Sequence, residues 1–325
     1  MSAAVAASGV DTVSLAWRPT REQFFTGLLQ TPHRQSGGGG LLFDTPGPGG
    51  ARVVAWPGYG LVAGEGRLDA LMTGSTSSWE LRPKADIAHA DGVMRTFLEH
   101  LAGTDLFRPG ECDDGETRRY DLTAEVECDD PAEGLAFLRT VAAFVPPGRK
   151  TDTWRGADGQ PQTVYYRTLK RAVVTERVYD KGVESGSHPA GHRVRIEAQR
   201  RPPKTRRMRP GVIAGLDLAA DFGRSIQPYL KGNESVIATG TDGALTHLAR
   251  KAAAGELSIA RAERMIGSVG LLKAYGRAFY PDVQQQQRRL RDLRDAGVAL
   301  DEELPDGAVV PVGELLRQAV ERFSA

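Results

Sequence analysis

The chain has 325 residues, 40% of them hydrophobic and 26% charged, with 42 Lys and Arg against 41 Asp and Glu. That composition suits a globular protein with a substantial core, and a formal charge of +1 excludes a uniformly basic nucleic-acid coat while leaving room for a local basic patch. No run of about 18 apolar residues is present to cross a membrane. The first nine residues lack the basic leader and hydrophobic stretch of a secretory signal, so they read as a frayed tail and the protein as cytoplasmic. Cys112 and Cys128 have no metal-binding spacing and read as buried or free thiols in a reducing compartment.

In chain order, Val10 to Trp17 favours a strand, and Thr20-x-x-Gln23 reads as a capping box opening a helix through Leu29. Gly37 to Gly40 and Pro46 to Gly50 mark loops. Strands are predicted at Arg52 to Trp56, Leu61 to Ala63 and Leu68 to Met72, with Gly58 to Gly60 as a hairpin turn rather than a nucleotide loop. A helix is predicted over Asp86 to Leu101, a strand over Arg119 to Cys128, and a helix over Pro131 to Phe144 with Pro131 in its first turn. Three strands follow at Thr163 to Thr168, Ala172 to Lys181 and His192 to Arg201. Beyond about Gly240 the pattern turns helical, at Ala244 to Ala254, Ile259 to Leu272, Val283 to Ala296 and Val312 to Phe323. The reading is therefore α+β: an antiparallel sheet with helices on one face over residues 1–235, then a helical region over 236–325. Val10 to Trp17 and Tyr120 to Glu127, each followed by a helix, share a pattern that would make Asp11 and Asp121 equivalent positions of two related halves.

Strand alternation separates two faces. Tyr120, Leu122, Ala124, Val126 and Cys128 fall on one side, with Asp121, Thr123, Glu125 and Glu127 on the other. Val174 and Val178 oppose Arg177, Tyr179 and Lys181; Val194, Ile196 and Ala198 oppose Arg193, Arg195, Glu197, Gln199 and Arg201. If these strands are neighbours, the second face is an open polar platform carrying a tyrosine between cations, with carboxylates on two other strands. A phenol with an ordinary pKa near 10 needs nearby cations to become a nucleophile, and carboxylates of this kind would suit Mg2+ or Mn2+. The run from Arg200 to Arg209, with Arg201, Lys204, Arg206 and Arg207 between, would bind phosphates beside such a site. The stretch from Gln284 to Arg294 is a second basic segment. His188 and His192 read as loop residues.

Arg177-x-Tyr179-Asp180-Lys181-x-x-Glu184, followed by Arg193-x-Arg195-x-Glu197, resembles the core of the Rep trans family of rolling-circle initiators and its relaxase and filamentous-phage relatives. The resemblance covers roughly Asp121 to Arg201, about a quarter of the chain. It implies Tyr179 as nucleophile; Glu125, Glu197 and Asp121 as metal ligands or general base; Arg177, Lys181 and Arg195 on phosphates; and Glu184 orienting Lys181 or the metal. The implied reaction is nicking of one strand of a single-stranded or hairpin origin, with a 5′-phosphotyrosine, a free 3′-hydroxyl, and a host helicase and polymerase as partners. The sequence departs from the family where a Tyr-x-Gly-x-Arg strand is usual, since Thr163 to Arg167 has no glycine, and the His-hydrophobe-His motif of other initiators is absent. Tyr165 and Tyr166 are rival nucleophiles. A non-catalytic DNA-binding regulator and a water-using metal nuclease are the competing functions.

Overall fold

The computed structural model describes residues 3–76, 80–109, 111, 115–146, 148–169, 174–186, 189–202, 208–276, 279–280, 282–305 and 308–324. In chain order the elements begin β1 (Ala4–Trp17), α1 (Gln23–Leu28), β2 (His33–Ser36), β3 (Gly40–Phe43), β4 (Arg52–Trp56), β5 (Leu61–Arg67), α2 (Leu68–Thr73) and α3 (Asp86–Ala102). Next come β6 (Glu116–Glu127), α4 (Pro131–Val141), β7 (Arg149–Arg155), β8 (Pro161–Thr168), β9 (Val174–Asp180), α5 (Lys181–Ser185) and β10 (Arg193–Arg200). The chain continues through α6 (Pro210–Ala214), α7 (Leu218–Leu230), β11 (Ile237–Thr239), α8 (Thr241–Ala253), α9 (Ile259–Tyr275) and α10 (Val283–Asp295), and ends with β12 (Val298–Leu300), β13 (Val309–Val310) and α11 (Val312–Ser324). The fold is α+β with a large antiparallel sheet and a mainly helical C-terminal region. Among the described residues no helix is long and apolar enough to cross a membrane.

Two compact units emerge: one of Met1–Ala7, Ala124–Glu197 and Ala219–Ala325, the other of Ser8–Thr123 and Ala198–Leu218. In the latter, β2 to β5 form an antiparallel meander and β1 pairs antiparallel with β5, from Thr12 opposite Arg67 to Trp17 opposite Val62. Helix α3 lies against α1, α2 and α6. Its buried Asp91 accepts from the Trp17 indole at 3.0 Å and the Gly115 amide at 3.1 Å, which satisfies a carboxylate that would otherwise be costly to bury. In the other unit the end of β6 is followed by β10, β9, β8 and β7, with β7–β8 and β8–β9 antiparallel. Helix α4 packs on β8 and β9, over a core that includes Phe137, Val141, Val164, Tyr166, Val178, Val194 and Ile196. This unit also holds all of residues 236–325, where β11 pairs parallel with β12 and antiparallel with β13, and α8 to α10 bury Leu248, Met265, Val269 and Leu293.

The two halves share one topology. Starting from β1 the strand order is β1-β5-β4-β3-β2, and starting from β6 it is β6-β10-β9-β8-β7. In each, an opening strand leads through a helix (α1 or α4) to the far strand of a four-stranded meander that returns by hairpins to its own first strand. This is the arrangement that the Val10 to Trp17 and Tyr120 to Glu127 patterns suggested.

Several local expectations are corrected. The supposed frayed tail is the start of β1, where Val5 is buried and the Ala6 carbonyl accepts from Arg322. The Thr20 capping box does not form: α1 begins at Gln23, and the Thr20 hydroxyl instead donates to Glu111. Leu68 to Thr73 is a helix, because Leu, Ala and Met are good helix formers and Gly74 closes it in the left-handed region. Cys128 is buried, and burial first, then Glu133 and Asp129, push its thiol up to about 12, so it stays protonated at neutral pH. Cys112 lies outside the described residues.

The connection into β10 is fixed by backbone contact. Gly191 has φ +83°, and a Cβ there would lie 2.2 Å from the Pro131 carbonyl oxygen, while a Cβ on Gly134 of α4 would lie 1.9 Å from the Gly191 carbonyl oxygen. Gly191→Ala combines left-handed strain with a backbone clash and is expected to cost about 3 kcal/mol, read as a lower urea midpoint at unchanged slope.

Candidate active site

The site is built on the end of β6 (from Ala124 on), β9, β10 and α5, within one unit. In β8–β9 pairing Thr163 lies opposite Tyr179 and Tyr165 opposite Arg177, so these four share a face; Tyr166 lies opposite Glu176 on the other. β9 ends at Asp180, whose carboxylate caps α5 by accepting from the Val183 amide at 3.2 Å and also holds the Gly191 amide at 2.6 Å. Burial pushes the Asp180 carboxyl up, and these backbone donors act against the shift. Lys181 therefore opens a helix instead of extending the strand, and Glu184, one turn on, takes its ammonium at 2.5 Å.

Around Tyr179 the charges interlock. Its hydroxyl donates to Glu197 at 3.5 Å. The same carboxylate oxygen accepts from Arg177 at 2.7 Å, and the Arg177 guanidinium lies over the Tyr179 ring at 4.4 Å from its centroid. The Lys181 ammonium stands 5.8 Å from that centroid, and Arg177 also approaches Glu184 at 3.7 Å. On the neighbouring strands Arg195 donates to Glu125 at 2.7 Å, and Arg193 bridges Glu125 at 3.2 Å and Glu127 at 2.7 Å. Burial works against the charge on Arg177, but Glu197, Tyr179 and Glu184 outweigh it, so its pKa is held above the ordinary value.

The expected open platform is here a closed one. Tyr179 is only 2% exposed, Arg195 and Glu197 are fully buried, and Glu125 and Lys181 nearly so. Opposed charges make this possible, because the buried Glu125 and Glu197 carboxylates each meet a guanidinium. The solvated part of the same face lies on β7 and β8, with exposed Trp154 and Lys150 and half-buried Tyr165 and Arg167.

Of the rival tyrosines, Tyr165 shares the face of Tyr179, whereas Tyr166 points into the core. The Tyr166 hydroxyl donates to the Val141 carbonyl at 2.5 Å and its ring meets Tyr229 at 4.5 Å, with burial pushing the phenol up. Sequence reasoning missed Glu176 on that side, a buried carboxylate held by Tyr229 at 2.8 Å and Arg149 at 3.3 Å; an acid inside an apolar alternation was its signal. Asp121 belongs to the other unit and pairs with Arg119, which also reaches Glu65 at 3.3 Å. Of the basic run, Arg200, Arg201 and Arg209 are described, and Arg201 reaches Gln199 at 3.4 Å; Lys204, Arg206, Arg207 and His188 lie outside the described residues. His192 contacts the Cys128 carbonyl at 3.1 Å, as a loop residue would.

For a divalent ion the donor set does not fit. Asp121, Glu125 and Glu197 each already accept from an arginine, and among the described residues no group of three or more His, Cys, Asp or Glu side chains is placed to hold a metal. A separate cavity of about 870 Å3, bounded by α4, the β7–β8 hairpin and α10, includes Arg139, Arg155, Arg291 and Arg294 but none of the residues around Tyr179.

No family model matches the sequence, and no curated protein matches it. Among solved structures the chain is matched to a rolling circle replication initiator protein from Geobacillus stearothermophilus, at 13% identity and a TM-score of 0.33, covering 68% of this chain and 84% of that one.

Truncating one member of the buried pair isolates its partner. Glu197→Ala leaves Arg177 without its principal counter-charge and is expected to cost about 3–5 kcal/mol, against about 1 kcal/mol for Tyr179→Phe, which keeps the ring beneath Arg177; urea unfolding of both variants measures the difference.

Proposed function

We propose that this chain nicks one DNA strand to initiate replication, with Tyr179 as the nucleophile. The observation that carries the reading is the Tyr179 hydroxyl aimed at Glu197 while Arg177 both grips that carboxylate and lies on the ring. Glu197 accepts the phenolic proton, and the phenolate oxygen attacks phosphorus. The bond to the 3′ oxygen breaks, leaving a 5′-phosphotyrosine and, once protonated, a 3′-hydroxyl. At 3.5 Å the phenol–carboxylate contact is long, as catalytic hydrogen bonds often are before substrate binds. Arg177 and Lys181 would offset charge on the phosphate, and the Arg177 Nε is buried with no hydrogen-bond partner among the described residues, a donor left over for a phosphate oxygen. Esterification to tyrosine conserves the phosphodiester energy, so the strand can be rejoined. Mg2+ or Mn2+, suggested by the resemblance, would have to displace an arginine from Glu125 or Glu197 to bind there.

A second reading, a DNA-binding protein that does not cut, is favoured by the burial of Tyr179, since a phosphate reaches that hydroxyl only if its cover moves. The readings separate on one gel. Wild type, Tyr179→Phe and Tyr165→Phe are incubated with labelled single-stranded origin DNA, with Mg2+ or Mn2+ and with chelator, and run under denaturing conditions. The expected result is a protein–DNA band lost in Tyr179→Phe and kept in Tyr165→Phe. Loss only in Tyr165→Phe moves the nucleophile one strand outward, cutting without a band means water is the nucleophile, and neither cut nor band sinks the nicking reading. A requirement for the ion would mean that a metal takes part in the cut.

A further inference from the structure

The pairing register sets three residues in a row across β7, β8 and β9: Trp154 opposite Thr163, and Thr163 opposite Tyr179. Directly opposed residues of antiparallel strands point to the same side of the sheet, so Trp154 shares the face of the candidate nucleophile, two strand spacings or roughly 10 Å away. The next row is Asp152, Tyr165 and Arg177, and beyond it Lys150 faces Arg167. Exposure rises steeply along the first row, from 2% at Tyr179 through 9% at Thr163 to 63% at Trp154.

A lone exposed aromatic is common on protein surfaces. This one has company. Tyr165 lies on the same face with the Arg167 guanidinium over its ring at 5.4 Å. Lys150 and Arg167 both reach the single carboxylate of Asp152, at 3.5 Å and 2.8 Å, so the three groups leave one positive charge in excess. Two aromatic rings and surplus cation on one open sheet face are the components with which proteins hold single-stranded nucleic acid: bases stack on the rings while cations follow the backbone. Paired bases inside a duplex offer no free faces, so the chemistry selects a single strand.

We propose that the β7–β8 part of this face is a single-stranded DNA platform, with Trp154 stacking a base that flanks the phosphate attacked at Tyr179. The placement of that phosphate rests on the nicking reading; the stacking does not, and its test requires no cleavage. The full-length protein is titrated into a fluorescently labelled single-stranded oligonucleotide and, separately, a duplex of the same sequence, with anisotropy as the readout. Trp154→Ala is expected to weaken single-strand binding about tenfold or more, Trp154→Phe to retain most of it, and both to leave duplex binding nearly unchanged. Because Trp154 is largely solvent-facing, an unchanged unfolding midpoint would confirm that the variants fold.

Single-strand affinity unchanged in Trp154→Ala, or lost equally for duplex, overturns the platform, as does a wild type that binds no single strand. The covalent-link gel distinguishes this failure from that of the nicking reading. A Tyr179-dependent link with Trp154-independent binding rejects the platform alone, and Trp154-dependent binding without any link keeps the platform and rejects the nicking.

Discussion

Burying charge inside a sheet is possible only if every charge meets its opposite, and that requirement organises the polar face of β6, β9 and β10. Arg195 and Glu197 stand two residues apart on β10 with no solvent exposure, one bound to Glu125 and the other to Arg177. Desolvating such groups costs several kcal/mol each, and apolar replacements of similar volume are often as stable. Ion pairs in this position therefore contribute placement more than stability: two guanidiniums, two carboxylates and a phenol are held with little freedom to rearrange. A reaction that needs a proton acceptor and cationic groups at fixed separations benefits from that rigidity.

The same restraint reaches the loop joining β9 to β10. Asp180 both caps α5 and holds the Gly191 amide, and Gly191 in turn touches the first turn of α4. One buried carboxylate thus determines where Lys181 and Glu184 stand relative to Tyr179 and where β10 begins. Hydrogen bonds of this kind behind the reacting groups are what keep a reactive constellation from drifting by an ångström.

Alternation alone gave the correct faces for β6, β9 and β10, and hence the company of Tyr179, Arg177, Glu125, Arg195 and Glu197. It could not give the cover over those residues, because period two tells which side a residue takes and not what lies above it; the open platform became a closed one for that reason. β7 escaped notice because Lys150, Asp152 and Arg155 make Arg149 to Arg155 look like a solvated loop, although its register with β8 is continuous as far as Trp154. Leu68 to Met72 has no decisive period in so short a run, and helix propensity with Gly74 prevailed. Asp121 lies two turns of alternation from Glu125 on one strand, yet its charge is answered by Arg119, a local pairing that strand-level reasoning does not register. The repeated pattern at β1 and β6 was visible as two similar segments; only the strand orders reveal that each opens the same topology.

Among the described residues, strand β7 stands at the end of its sheet, with a neighbouring strand on one side of its backbone only. An edge of this kind is a template for joining another chain, and an exposed tryptophan beside it adds to the hazard. Lys150, Asp152 and Arg155 interrupt the hydrophobic run such joining needs, and the register shift between Trp154 and Arg155 breaks the regular ladder at that end of the edge. Charges beside Trp154 are therefore of the kind that blunts an edge strand against pairing with another chain.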